Sequence, residues 1–255
     1  MSLLDARPGP SMHYDEPGTV IVYRTNMPTK KTPSPRTNRH SSSNTSKKSA
    51  TALSAKSSHS ASPPKKLTGR ARVLSSKTVY RGKVFSVTAD EVIEPGGVRA
   101  RRDVVRHNGS VVILAVDTTS NPDDPNILLI RQYRHAANQF LLELPAGRID
   151  PGEKTLAAAK RELIEETGFR ARRWSHHVRY FASPGFVGES MDIMLAEDLI
   201  PGEATPEEDE RIELHFTPLS ECVRLALAGE LHDGKLLIGV LFYHALRSAG
   251  PPPRT

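Results

Sequence analysis

The stretch GRIDPGEKTLAAAKRELIEETGF, residues 147–169, limits the fold of this chain more than any other segment. Asp150-Pro151-Gly152 supplies a turn, because proline presets one dihedral and glycine accepts a positive φ. A helix is expected to open at Lys154 or Thr155 and to stop at Gly168, where glycine takes a left-handed cap cheaply. At about 100° per residue, Leu156, Ala159, Leu163 and Thr167 share one face, which is expected to pack on a core. Glu162, Glu165 and Glu166 fall together on the adjoining face, at helical neighbour spacings.

That acidic face is unfavourable by itself. Like charges one turn apart repel by a few tenths, roughly 0.2–0.5 kcal/mol, per pair. They also sit near the helix C-terminus, where the macrodipole favours cations. Converging hard oxygen ligands are what a divalent Mg²⁺ or Mn²⁺ site requires. Arg161 lies four residues before Glu165 and can hold that carboxylate in place. A solvated acidic face balanced by Lys160 and Arg161 is the bland alternative, and the intact pattern of the whole stretch weighs against it.

Charge divides the 255 residues into two unequal parts. Residues 1–70 hold twelve Lys/Arg and three Asp/Glu, a net of +9, while the other 185 hold 23 and 26, a net of −3. The overall +6 thus belongs to the N-terminal segment and carries no information about a substrate. Residues 29–62 are mostly Ser, Thr, Lys, Arg, Pro and Ala, too poor in large apolar side chains to offset their ordering entropy. The expected organisation is a disordered basic tail over 1–70, one domain over 71–248 and a flexible end over 249–255. Contact of the tail with nucleic acid is conceivable from charge alone but has no supporting basic stripe with interleaved aromatics. The absence of a signal-like or membrane-length apolar run points to a cytoplasmic protein without a membrane partner. The single cysteine, Cys222, excludes an intramolecular disulfide framework and a cysteine-rich zinc site.

Strands are expected at 84–93, 99–106, 111–117, 127–133, 140–144, 173–181, 191–196 and 211–216, with helices at 219–228 and 235–247. This is an α/β (α+β) pattern of mixed sheet and covering helices. Trp174 reads as a packing residue, Tyr133 as a core or stacking residue, and His135 as exposed. His176 and His177 have no carboxylate or cysteine at ligand spacing.

Gly147, Glu153, Arg161, Glu162, Leu163, Glu165, Glu166, Gly168 and Phe169 fit the pattern Gly-x5-Glu-x7-Arg-Glu-apolar-x-Glu-Glu-x-Gly-apolar, and by it the chain resembles the Nudix hydrolases. Arg131-Gln132-Tyr133-Arg134, Glu143-Leu144-Pro145-Ala146-Gly147, Ser183-Pro184-Gly185-Phe186, Glu207-Glu208-Asp209-Glu210 and residues 229–235 look like its ADP-ribose pyrophosphatase branch, over about residues 75–247. The resemblance implies a Nudix-type α/β/α sandwich with a mixed sheet, preceded by an N-terminal antiparallel strand region. It implies hydrolysis of ADP-ribose to AMP and ribose 5-phosphate, with another nucleoside diphosphate sugar such as GDP-mannose as the alternative substrate. A non-catalytic ADP-ribose sensor is disfavoured, because every signature carboxylate is present.

Carried over residue by residue, the resemblance assigns Mg²⁺ (or Mn²⁺) to Glu162 and Glu166, helped by the carbonyl of Ala146 and by Glu165, with Glu153 supporting the cluster. It assigns substrate binding to Arg102, Gln132, Arg134 and Glu143. The expected catalytic set is Glu189, Glu165 and Arg161, with Glu189 the candidate general base on a loop that can close. Members of the branch are commonly homodimers whose N-terminal strands, here about 80–106, cross to the partner, so that Arg102 would serve the neighbouring site.

Overall fold

The computed structural model describes residues 20–21, 67–206 and 210–250. The expected tail therefore lies almost wholly outside the described residues, as do 207–209 and 251–255. A short strand β1 (Val20–Ile21) is followed by β2 (Arg72–Arg81), β3 (Ser86–Ile93) and β4 (Arg99–Arg106), the last three forming an antiparallel sheet in the order β2-β3-β4. Then come β5 (Ser110–Asp117), β6 (Asn126–Arg134), a 3₁₀ turn at His135–Ala137, β7 (Gln139–Glu143) and β8 (Ala146–Arg148). Helix α1 (Thr155–Thr167), strands β9 (Arg170–Phe181), β10 (Ser190–Ile200) and β11 (Ile212–Pro218), and helices α2 (Leu219–Leu227) and α3 (Gly234–Ala249) complete the order.

The main sheet runs β1-β11-β6-β5-β10-β9, with β5 and β10 parallel. Every residue of β5 is buried, as an unbroken apolar strand covered on both faces must be. Its side chains alternate between two cores. Val111, Ile113 and Ala115 pack with Ala158, Ala159 and Leu163 of α1. Val112, Leu114 and Val116 pack with Leu219 and Cys222 of α2 and with Leu236, Val240 and Tyr243 of α3. One helix on one face and two on the other make the α/β/α sandwich.

The sheet forks at its centre. Strands β5 and β6 pair only at Val116–Ile127 and Asp117–Asn126. Beyond that, Ser110–Val112 of β5 pairs with β8, and Ile130–Arg134 of β6 pairs with β7. Between them the Glu143–Ala146 turn fills the gap, with Leu144 fully buried and Ile113 N–H donating to the Pro145 carbonyl at 2.8 Å. The site is built on this fork.

Several expectations need correction. Leu156 is 40% exposed, whereas Ala158 is buried, so the buried stripe of α1 centres on Ala159 and Glu166. Strand β2 was not expected. Its sequence RVLSSKTVYR has exposed residues at every position, so burial imposes no alternation for a reader to see. The three-residue β8 is too short for periodicity to show. Helix α3 continues to Ala249, into the expected flexible end. Gly168 does take the left-handed cap, at φ 75°.

The N-terminal sheet meets the sandwich at Val105, which pairs with Val187 and exchanges backbone hydrogen bonds with Phe186 and Gly188. Among the described residues no helix is long and apolar enough to cross a membrane.

Candidate active site

Arg161 organises the acidic face of α1. Its guanidinium donates to both Glu153 oxygens at 3.1 Å, to Glu162 at 2.7 Å, to Glu165 at 2.9 Å and to the Arg148 carbonyl at 3.0 Å. A planar fork with several donors suits this task better than a lysine would. The Glu153 bond is the first cause holding the guanidinium's pKa above its ordinary value. Glu153 also accepts from Asp150 N–H at 3.1 Å and so ties the Asp150-Pro151-Gly152 turn to the helix.

Glu166 is 4% exposed and accepts from Ala146 N–H at 2.9 Å, which clamps α1 onto the fork. Burial pushes its carboxyl up to about 8; the Ala146 bond opposes this, and Glu162 and Glu210 add to it. Burial raises Glu162 as well, against the opposing hydrogen bond from Arg161. Gly147 is required by this crowding: a Cβ there would stand 1.9–2.2 Å from the Glu162 carboxylate.

On the other branch of the fork, Glu143 is 1% exposed and receives Nε and Nη2 of Arg134 at 2.8 Å each. Lys235 of α3 adds a third cationic contact at 3.0 Å. The Glu143–Gly147 segment is therefore gripped by Glu166 from the α1 face and by Lys235 from the α3 face. Burial works to raise Glu143, and Arg134 and Lys235 outweigh it and hold the carboxyl below its ordinary value. Gln132 is 8% exposed, and among the described residues its Oε1 has no hydrogen-bond partner.

Glu189 ends the loop between β9 and β10. Ser110 Oγ donates to it at 2.6 Å, and His107 Nδ1 stands 3.5 Å away while accepting from Gly109 N–H. Ser110 opens β5 and pairs with Arg148, whose carbonyl Arg161 holds, so Glu189 and the acidic helix flank the same strand end. Burial raises the Tyr180 pKa first, and Asp233 and Glu189 add to that.

Most of the expected site residues thus converge around the fork. Arg102 does not join them and pairs instead with Glu94 at 2.9 and 3.1 Å across the β3–β4 hairpin. Glu210, Asp233 and Lys235 belong to motifs that the sequence shows without assigning them a role, whereas His107 and Ser110 carry no local signal and are brought to Glu189 only by the fold. His176 does meet a carboxylate, Asp192 at 3.1 Å, brought by strand pairing that sequence spacing cannot show. Trp174 packs on the α1 core and donates to the Ala171 carbonyl. Tyr133 is exposed beside Phe140.

Among the described residues no group of three or more His, Cys, Asp or Glu side chains is gathered as a ready metal cage. Arg161 holds Glu162 and Glu165, and Glu166 is turned onto Ala146. The donor set nevertheless fits a divalent cation. Two carboxyls raised by burial first and then by neighbouring carboxylates, Glu165 and Glu210 beside Glu162 and Glu162 and Glu210 beside Glu166, are hard oxygen donors that a cation relieves.

A forked α/β/α sandwich with a Gly-capped acidic helix clamped across the fork defines the class: an enzyme of the Nudix hydrolase type. The comparisons agree. The family model described as NUDIX domain matches residues 106–237, and the chain belongs to that family. It is similar to an ADP-ribose pyrophosphatase of Mycobacterium tuberculosis (strain ATCC 25618 / H37Rv), 36% identical over 71% of this chain and 86% of the relative. It is also similar to an ADP-ribose pyrophosphatase of Bacillus subtilis (strain 168), 31% identical over 67% of this chain and 91% of the relative. Among solved structures, a crystal structure of ADP compounds hydrolase aligns with a TM-score of 0.61 and 26% identity, covering 73% of this chain and 98% of the other. Nudix hydrolases act on small-molecule nucleotide substrates and generally use divalent metal ions.

Proposed function

We propose that this protein hydrolyses the diphosphate bond of ADP-ribose to AMP and ribose 5-phosphate with Mg²⁺, or with Mn²⁺ in its place. The observation that carries the reading is that one fork segment joins both parts of the site: Glu143, which Arg134 grips at 2.8 Å, and Ala146, whose N–H is held by Glu166 of the acidic helix at 2.9 Å. A phosphate-binding fork thus stands beside a carboxylate cluster suited to a divalent cation.

Glu162 and Glu166 would hold the cation, with Glu165 and the Ala146 carbonyl assisting. When bound, the ion orients water and neutralises the charge that develops on the diphosphate. Arg161 keeps Glu153, Glu162 and Glu165 in register. Arg134 takes phosphate oxygens, and Gln132 offers its unpaired Oε1 to a substrate donor. Glu189 serves as general base, its carboxylate steered by Ser110 and able to take a proton from attacking water.

The reading includes a homodimer through the N-terminal sheet. Its support is an apolar surface left open by one chain: Val73, Val79, Tyr80 and Val84 are each more than half exposed. Pairing of two copies would cover that surface and bring Arg102 toward the neighbouring site.

A panel of nucleoside diphosphate sugars under saturating Mg²⁺ tests the substrate. ADP-ribose should give the highest kcat/KM; a preference for GDP-mannose would move the assignment to that alternative. Glu189→Gln should lower kcat by about a hundredfold, within the range for a general base. Near-normal turnover of that variant would remove Glu189 from the role.

A further inference from the structure

Lys235 stands in the first turn of α3, on the side of the fork opposite α1. Its side chain is 16% exposed, and its ammonium donates to Glu143 at 3.0 Å and to Asp233 at 2.7 Å. Asp233 is also the N-cap of α3, accepting Leu236 N–H at 2.9 Å. A buried lysine is costly unless paired, and here two carboxylates surround it. Burial acts to lower its pKa, and Asp233 and Glu143 outweigh that, so the ammonium stays charged.

Glu143 therefore serves two cations at once. Asp233 balances the lysine's charge, so what Lys235 adds to Glu143 is geometry: it reaches the same Oε2 that Arg134 Nη2 uses and holds the carboxylate from a second direction. Asp233 anchors the lysine from behind. The Arg134–Glu143 pairing uses Nε and Nη2, leaving Nη1 outside that pair, and the Arg134 side chain is 37% exposed.

We propose that Lys235 is a positioning residue for diphosphate recognition: it fixes the Glu143 carboxylate that aims the Arg134 guanidinium, whose Nη1 lies outside the pair, at a substrate phosphate. This rests on the functional reading above, in which Arg134 meets the diphosphate. Groups that orient a contacting residue in this way typically matter by 10–100-fold, here taken as about tenfold in affinity.

The experiment measures ADP binding by calorimetry and ADP-ribose kinetics under Mg²⁺ for wild type, Lys235→Met, Lys235→Gln and Lys235→Arg, each checked by thermal melting. Folded Lys235→Met and Lys235→Gln should weaken ADP binding and raise KM about tenfold, with kcat falling less than KM rises. Lys235→Arg should recover to within about threefold of wild type, because it restores a charged donor to Glu143. A merely structural lysine would lower the melting temperature and leave KM alone. Wild-type affinity in folded Lys235→Gln overturns the proposal, and so does an arginine variant as weak as the neutral ones. The neutral glutamine retains a donor to Glu143, so the test stands if the methionine variant does not fold. Wild type that binds ADP but spares ADP-ribose would remove the substrate assignment alone; wild type that does neither would remove both.

Discussion

Gly147 and Glu162 show how closely one residue depends on another at this site. A Cβ at Gly147 would collide with a carboxylate at the end of a flexible side chain, so Glu162 can move aside at little cost to the fold. Gly147→Ala should therefore lower activity far more than stability: melting within a few degrees of wild type, kcat down by about 10–100-fold. Comparing a melting curve with initial rates checks this, and equal loss of both would show that Glu162 needs no fixed place. Arg161 behaves differently because it satisfies four glutamate or carbonyl partners together. Arg161→Ala leaves partly buried acceptors unpaired and should cost about 1–3 kcal/mol by urea unfolding, a range already reduced for its partial exposure.

Helix α1 and the fork are the elements that turn these residues into a site. The end of the helix is fixed by Gly168, at φ 75°, where a Cβ would stand 2.7 Å from Gly202 O and Ala204 N. Both the backbone conformation and the contact exclude a side chain, so Gly168→Ala should destabilise by about 1–3 kcal/mol in chemical unfolding. Glu143 gives a pH prediction for the fork. Its carboxyl lies below the ordinary 4.5 when folded, so its contribution is full above that value and is lost as pH falls through the folded one. The stability gap between wild type and Glu143→Gln should thus be constant near neutrality and shrink below about pH 4.5. A gap that widened with acid would contradict the ion-pair account.

The same elements explain what was legible in the sequence. Helix α1 could be read almost to the residue because its turn, periodicity and cap are local signals. The apolar runs of β5 and β6 were equally plain, since both are buried in the middle of the sheet. Lys235 was visible only as part of the 229–235 motif, and Ser110 and His107 not at all, because sheet pairing and helix docking bring them to Glu143 and Glu189 from distant positions. Strand β2 was hidden for the opposite reason: its residues are exposed at every position, so no burial pattern shows in the sequence.

At the scale of the whole molecule, the sandwich satisfies itself and the N-terminal sheet does not. The N-terminal sheet leaves valines and Tyr80 in the open, and that surface is what the proposed homodimer would cover. Sedimentation should give twice the chain mass, and Val79→Asp should shift it to the monomer while the sandwich remains folded. A monomeric wild type at micromolar concentration would end the dimer reading and leave Arg102 with Glu94 as its partner. The central claim is metal-assisted cleavage of ADP-ribose at the α1 cluster. Chromatography of the products formed by wild type and by Glu166→Gln, with Mg²⁺ and with chelator, tests it most directly. The account predicts AMP and ribose 5-phosphate from wild type with Mg²⁺, none with chelator, and a loss of about a hundredfold or more in Glu166→Gln. Equal product from the variant, or cleavage in chelator, would contradict it.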